Sequence, residues 1–164
     1  VEAIEPIAEL VIKCYRAGAL AMGGSVEVQA VAGYHALRQD LTLQKLFVAN
    51  AELILGRDSI SVLPSDQTHG GSTDMGDLST IMPVIHPHAN SAAGVGHGHD
   101  YLIEDYDRAV VAPAKVMAAT VLELLSNDAQ LARETIDKHK PLMSADQYVA
   151  VQRGRFTTDL YESK

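Results

Sequence analysis

Residues 70–101, GGSTDMGDLSTIMPVIHPHANSAAGVGHGHDY, sustain neither the 3.6-residue apolar period of a helix nor the two-residue period of a strand. Glycines and hydroxyl side chains supply turn chemistry along it, and Pro83 and Pro87 bracket one brief extended piece. Four of the seven histidines, His86, His88, His97 and His99, lie inside it. Long irregular stretches are uncommon in compact domains and are often functional. Any fold for this chain must therefore carry a long irregular segment between regular elements. The segment reads either as a run of polar turns or as one wall of a metal-bearing active site.

The flanking sequence is periodic. Over 3–22, Ile4, Ile7, Ala8, Val11, Cys14 and Tyr15 share a helical stripe, and Gly23-Gly24 ends it. SVEVQAVAGY alternates Val26, Val28 and Ala30 with Glu27 and Gln29, which predicts a half-buried strand. The polar connector YHALRQD leads to Asp40 or Thr42 as the cap of a helix carrying Leu43, Leu46, Phe47, Asn50 and Ile54, closed by Gly56. ISVLP, at 60–64, reads as a short buried strand. From Asp105, Val110, Ala114, Met117, Val121, Leu124 and Leu125 mark a helix that Pro113 either kinks or begins. Asp128 restarts a polar helix to about Lys140, and Ser144 caps a last one in SADQYVAVQRGRF. Alternating helices and short apolar strands predict α/β layers. The polar-faced helix–strand pair at 1–35 is expected to be distinct from residues 36–164.

Charge and composition exclude several classes. The chain is 47% hydrophobic and 21% charged, as globular chains are. A net charge of −8 predicts no nucleic-acid partner and no anionic membrane surface, since both require a basic footprint. No contiguous run of about eighteen apolar residues is present, so no bilayer span is expected. Cys14 is the single cysteine and sits on an apolar helical stripe, as an inert core thiol does. With no signal-peptide pattern, this predicts a reducing, cytoplasmic location. The start, VEAIEPIAEL, lacks Met and is already helical in period, as in a truncated or processed chain.

HGHD, 97–100, is the sharpest chemical feature. Two histidines at i and i+2, an adjacent Asp and a glycine between them suit imidazole ligation of zinc or a similar ion. A catalytic zinc takes about three protein ligands, so the pair alone leaves metal binding and plain surface histidines both open. The barrel hydrolases that begin with such a pair need about 250 residues, more than this chain has. GGSTDMGD, 70–77, offers backbone N–H groups and hydroxyls for a substrate carboxylate or carbonyl, or else a turn with Asp74 or Asp77 capping the next helix. His86 could donate into a cleft or be satisfied by nearby backbone; His35, His69, His88 and His139 carry no functional expectation. GxSxG, HExxH and GxxxxGK[ST] are absent.

Together, GSTDMGDLSTIMPVIHP, the later HGHDY and the helix APAKVMAATVLELL resemble the C-terminal part of the two-metal amidohydrolase/metallopeptidase family. That family includes aminoacylases, carboxypeptidase G-like enzymes and p-aminobenzoyl-glutamate hydrolases, and the likeness is to its aminoacylase-1-like dipeptidase branch. RAGALAMGGSVEV resembles the end of the family's lid domain, and YHALRQD its return segment, with Gln39-Asp40 where Asn-Asp is more frequent. The resemblance covers most of residues 1–127.

The resemblance implies an α/β fold: the C-terminal part of a zinc-exopeptidase-like catalytic domain, a mixed sheet flanked by helices, at 36–164. The end of an α+β lid, which also mediates homodimers, would precede it at 1–35. It implies His97, four residues before Tyr101, as a metal ligand, with His99 the competing choice. Gly71, Ser72, Thr73, Asp74 and His86 would line the substrate cleft. The implied cofactors are two Zn or Mn ions in the intact protein, and the implied substrates are small dipeptides or N-acyl and aryl amides of amino acids. The family's general base, its lid histidine and the other metal ligands precede the matched part. The chain alone is therefore expected to be inactive and to hold no metal stably. The competing expectation is a non-catalytic binding or assembly module that keeps the fold.

Overall fold

The computed structural model describes residues 4–63 and 73–162. It divides into two compact units. The first comprises Val1–Leu37, Ser72–Ile81 and Leu142–Lys164, and the second Arg38–Gly71 and Met82–Pro141. The first crossing falls at Leu37/Arg38. The returns at 72–81 and 142–164 come from contacts that no local pattern carries.

In the first unit, helix α1 (Ile4–Ala21) stops where Gly23 takes φ 64°. The Gly23 N–H donates to the Leu20 carbonyl at 3.1 Å and the Gly24 N–H to the Ala19 carbonyl at 2.9 Å, which satisfies carbonyls the helix end would orphan. Strand β1 (Ser25–Ala30) follows, with Val26, Val28 and Ala30 half-buried, as the alternation predicts. Its partner is β4 (Thr157–Glu162), antiparallel, with Ser25 opposite Glu162 and Ala30 opposite Thr157. Sequence pattern does not announce β4, because its inward positions are Asp159 and Tyr161 while Leu160 points out. Asp159 can face inward because Arg16 of α1 donates to it at 3.0 and 2.6 Å. The apolar stripe expected to be buried on α1 is open instead: Ile7, Val11 and Tyr15 are 59, 45 and 56% exposed, and Cys14 is exposed. Two strands cover only a narrow face, the one carrying Ile12 and Ala19, which are half-buried.

Short helix α3 (Met75–Leu78) and helix α5 (Ala145–Gly154) complete this unit. Ser144 caps α5, as its sequence predicts, and the structure adds a reciprocal box with Gln147. Gly76 is buried against the 35–37 backbone, and a Cβ there would collide with the His35 carbonyl.

In the second unit, the Asp40 carboxylate caps α2 (Leu41–Leu55), accepting the Thr42 and Leu43 N–H groups at 2.9 and 3.0 Å. Of the two expected caps, Asp40 is the one used. A π-helical turn (Asp107–Val111) opens into α4 (Ala112–Lys138), and Pro113 sits in the first turn, where its missing N–H costs nothing. Helical dihedrals break at Ser126–Ala129, beside the expected restart at Asp128. α4 packs on α2 through buried Ala51, Val116 and Thr120, and buried Asn50 donates to Glu123 at 2.9 Å.

Two expectations change here. Met117, Val121 and Leu125, expected inside, are 54, 51 and 61% exposed, because α2 covers the adjoining face of α4. ISVLP does not form a buried strand. Residues 60–63 have no ladder partner among the described residues, Val62 and Leu63 are half exposed, and Pro64 lies outside those residues. The helical stretch Asp107–Lys138 is, by length and composition, long and apolar enough to cross a bilayer. Lys115 and Glu123 break any contiguous apolar run without lowering the average much. A two-stranded antiparallel ribbon, β2 (Ala92–Ala93) with β3 (Leu102–Ile103), carries the HGHD loop. The chain is thus mixed helix and strand, with its described strands in two separate two-stranded sheets.

Two alanine substitutions should move stability in opposite directions. Gly76→Ala drives a Cβ into backbone and should lower unfolding free energy by about 1–3 kcal/mol. Gly18→Ala, inside α1 with open space around it, should raise it by about 0.5–1 kcal/mol. Urea unfolding midpoints read both, and a neutral Gly76→Ala would show that the close approach is not real.

Candidate functional site

Within the first unit, a part-buried cluster around His35 lies against the candidate substrate loop. His35 is 6% exposed, and both its backbone N–H and its ring Nδ1 lie 2.8 Å from the same Asp77 Oδ1. Because Asp77 faces Nδ1, the ring carries a proton there and donates it. Its Nε2 faces the Arg155 guanidinium at 3.5 Å. The Gln152 side-chain amide donates to the Gly33 carbonyl at 3.3 Å, to Asp77 at 3.4 Å and to the Tyr148 hydroxyl at 3.2 Å. Burial by itself would raise the Asp77 carboxyl. The His35 N–H, the His35 ring, a hydrogen bond with Tyr148 and the charge of His35 together outweigh it and leave the carboxyl below its usual range.

One turn ahead of Asp77 stand Thr73 and Asp74. The Thr73 hydroxyl accepts the Met75 N–H at 3.3 Å and donates to Asp74 at 3.3 Å. Asp74 starts α3 yet its carboxylate makes no capping bond, and it is exposed. Of the two residues that sequence offered, Asp74 stands at the N-cap position but its carboxylate bonds no helix N–H; the Thr73 hydroxyl takes the Met75 N–H instead, and Asp77 serves His35. Gly71 and Ser72, expected in the same loop, lie outside the described residues.

The second unit holds the other expected residues. The HGHD loop is a tight turn on the β2–β3 ribbon. The Gly98 N–H donates to Val95 at 2.7 Å, the Tyr101 N–H to Gly98 at 3.2 Å, and Gly94 (φ 85°) leaves no room for a Cβ against the Asp100 carbonyl. His97 has φ 64°, a left-handed conformation rare outside glycine, and both His97 and His99 are exposed. His86 is half-buried, and its backbone N–H donates to the Gln39 side chain at 3.1 Å. His139 meets Asp40 at 3.4 Å through Nδ1, while its buried Nε2 finds no partner among the described residues. The structure thus gathers Thr73 and Asp74 in one unit and His86 and His97 in the other.

Sequence reasoning passed over His35 and His139, which among the described residues engage carboxylates. Their partners are 42 and 99 residues away, beyond any local pattern. Among the described residues no group of three or more His, Cys, Asp or Glu side chains could hold a metal ion.

Two curated relatives share sequence with the chain. Human Xaa-Arg dipeptidase is 32% identical over 119 residues, which is 68% of this chain and 27% of the relative. The chain resembles an Xaa-Arg dipeptidase. Its mouse counterpart is 30% identical over 124 residues, 72% of this chain and 28% of the relative. The match therefore spans little more than a quarter of either dipeptidase. No protein-family profile and no solved structure matches the chain.

The lowered Asp77 carboxyl fixes the sign of an acid effect. A carboxylate held below its unfolded value stabilises the fold fully above that value, about pH 4, and the contribution fades as pH falls through the lower folded value. Asp77→Asn should lose about 1–3 kcal/mol at pH 7 and show a shallower decline into acid than the unsubstituted protein. Urea unfolding between pH 3 and 7 measures this; parallel acid limbs would contradict it.

Proposed function

We propose that this chain is part of a metal-dependent hydrolase of small dipeptides or of N-acyl and aryl amides of amino acids. One observation carries the reading: the similarity to Xaa-Arg dipeptidases over 68 and 72% of the chain. On this reading residues 36–164 belong to the α/β catalytic domain, and 1–35 to the end of a lid whose open α1 stripe faces a second subunit. The protein works in the cytoplasm.

The described residues do not by themselves gather a set of ligands for a metal ion. His97 is one exposed imidazole, and the described residues bring no further pair of ligands to it. Its contribution to the two Zn or Mn ions is then a single ligand, presented on a turn that glycines at 94 and 98 make possible. The remaining ligands and the base belong to residues outside this chain. Gly71, Ser72, Thr73, Asp74 and His86 supply hydroxyl, carboxylate and imidazole groups for the polar ends of a dipeptide. The Thr73 hydroxyl and the Asp74 carboxylate, one turn ahead of the Asp77 that His35 engages, support this.

One other reading is a binding module without catalysis that keeps the fold. Assay of the intact protein on dipeptides and N-acyl amino acids separates the two. Hydrolysis that falls on the order of a hundredfold or more in His97→Ala, together with loss of bound zinc, is expected. Full activity in that variant removes His97 from the metal. No hydrolysis by the unsubstituted protein leaves the binding module.

A further inference from the structure

We propose that the break in α4 is a swap hinge: drawn out straight, it lets residues 130–164 fold onto a second copy of this chain. The inference is independent of the hydrolase reading. At the break Asn127, Asp128 and Ala129 stand in succession at φ 50, 57 and 56°, left-handed backbone in the middle of α4. Residues with a Cβ visit that region singly and chiefly as Asn or Asp, because the Cβ crowds the following carbonyl oxygen. Asn127 and Asp128 are of the tolerant types. Ala129 is not; it is the best of helix formers. Short hinges under strain of this kind invite exchange between copies.

The sequence is equally suited to the straight form. Val116, Thr120 and Thr135 are buried, and Leu124 and Leu131 half-buried. Counted at helical spacing straight across the break, these five fall within about 100° of one another. One continuous helix would therefore present them as a single stripe. Straightening within one chain, however, withdraws everything beyond the break from its partners. In the second unit His139 would leave Asp40, which it meets at 3.4 Å. In the first unit β4 would leave β1, and Asp159 would lose the two bonds from Arg16. Gln152 would leave Gly33 and Asp77. Only identical surfaces replace all of these at once. A second copy of this chain is thus the partner that the straight form requires, and each copy returns to the other what it takes.

A disulfide across the β1–β4 ladder tests this in the full chain. Glu27 and Leu160 are register partners, and both are exposed. One chain carries Glu27→Cys alone and a co-expressed one Leu160→Cys alone, both with Cys14→Ser. A bond between positions 27 and 160, identified by mass spectrometry after mild oxidation, can then only join two chains. Asn127→Ala with Asp128→Ala, placed in both chains, removes the residues that tolerate the turn and should raise its yield roughly tenfold or more. Each single change should give a smaller rise, which keeps the test open where the pair together impairs folding. Adding Ala129→Gly, which lifts the steric cost of the closed turn, should reverse most of the gain. Circular dichroism should show the parent's helix content throughout. Yields that do not change with any of these substitutions, or a yield that Ala129→Gly raises, would overturn the proposal.

Discussion

A carboxylate taken out of water destabilises a fold by several kcal/mol unless donors replace the lost hydration. Asp77 meets that condition chiefly through His35, which gives it a backbone N–H and a ring N–H, both at 2.8 Å. Satisfying Asp77 this way pulls the 33–37 connector over α3 until only glycine fits at 76. Gln152 then ties α5 to the same carboxylate and to Gly33. Three stretches of chain, 42 and 75 residues apart from His35 and Gln152 to Asp77, meet at one oxygen. The position of Thr73 and Asp74, one turn away, is a consequence of that meeting.

What could be read beforehand follows from how far each signal reaches along the chain. Caps and stops are local, so Gly23-Gly24, Asp40, Gly56 and Ser144 mark helix ends that the structure keeps. The alternation of Val26, Val28 and Ala30 likewise marks β1. Strand β4 is invisible because an aspartate faces inward, made tolerable by an arginine 143 residues earlier. ISVLP shows the converse: apolar composition makes a strand only where a ladder partner is available. In the candidate site, the hydroxyl and carboxylate of Thr73 and Asp74 could be chosen by type and spacing. His35 could not, since an isolated histidine in a polar connector looks like any other until Asp77 is folded against it.

The apolar stripes of α1 and α4 were legible as stripes, yet both are largely open. Periodicity reports that a face avoids water and not which body covers it. The chain spans just over a quarter of the dipeptidases it resembles. On the proposed reading the rest of the catalytic domain and a second subunit supply the cover, and the exposed His97 is completed in the same way. A single imidazole on a preformed turn and two open apolar faces are thus one condition seen at three places.

The account depends most on the His35–Asp77 bond, and amide hydrogen exchange of His35 followed by nuclear magnetic resonance addresses it directly. Its N–H sits in a connector with no ladder or helix to protect it, so only the carboxylate can slow its exchange. Protection comparable to the slowest amides of α5 is the predicted result. Exchange at the rate of an open loop amide would show that the connector is not held by Asp77, and that the loop ahead of it is positioned by something else.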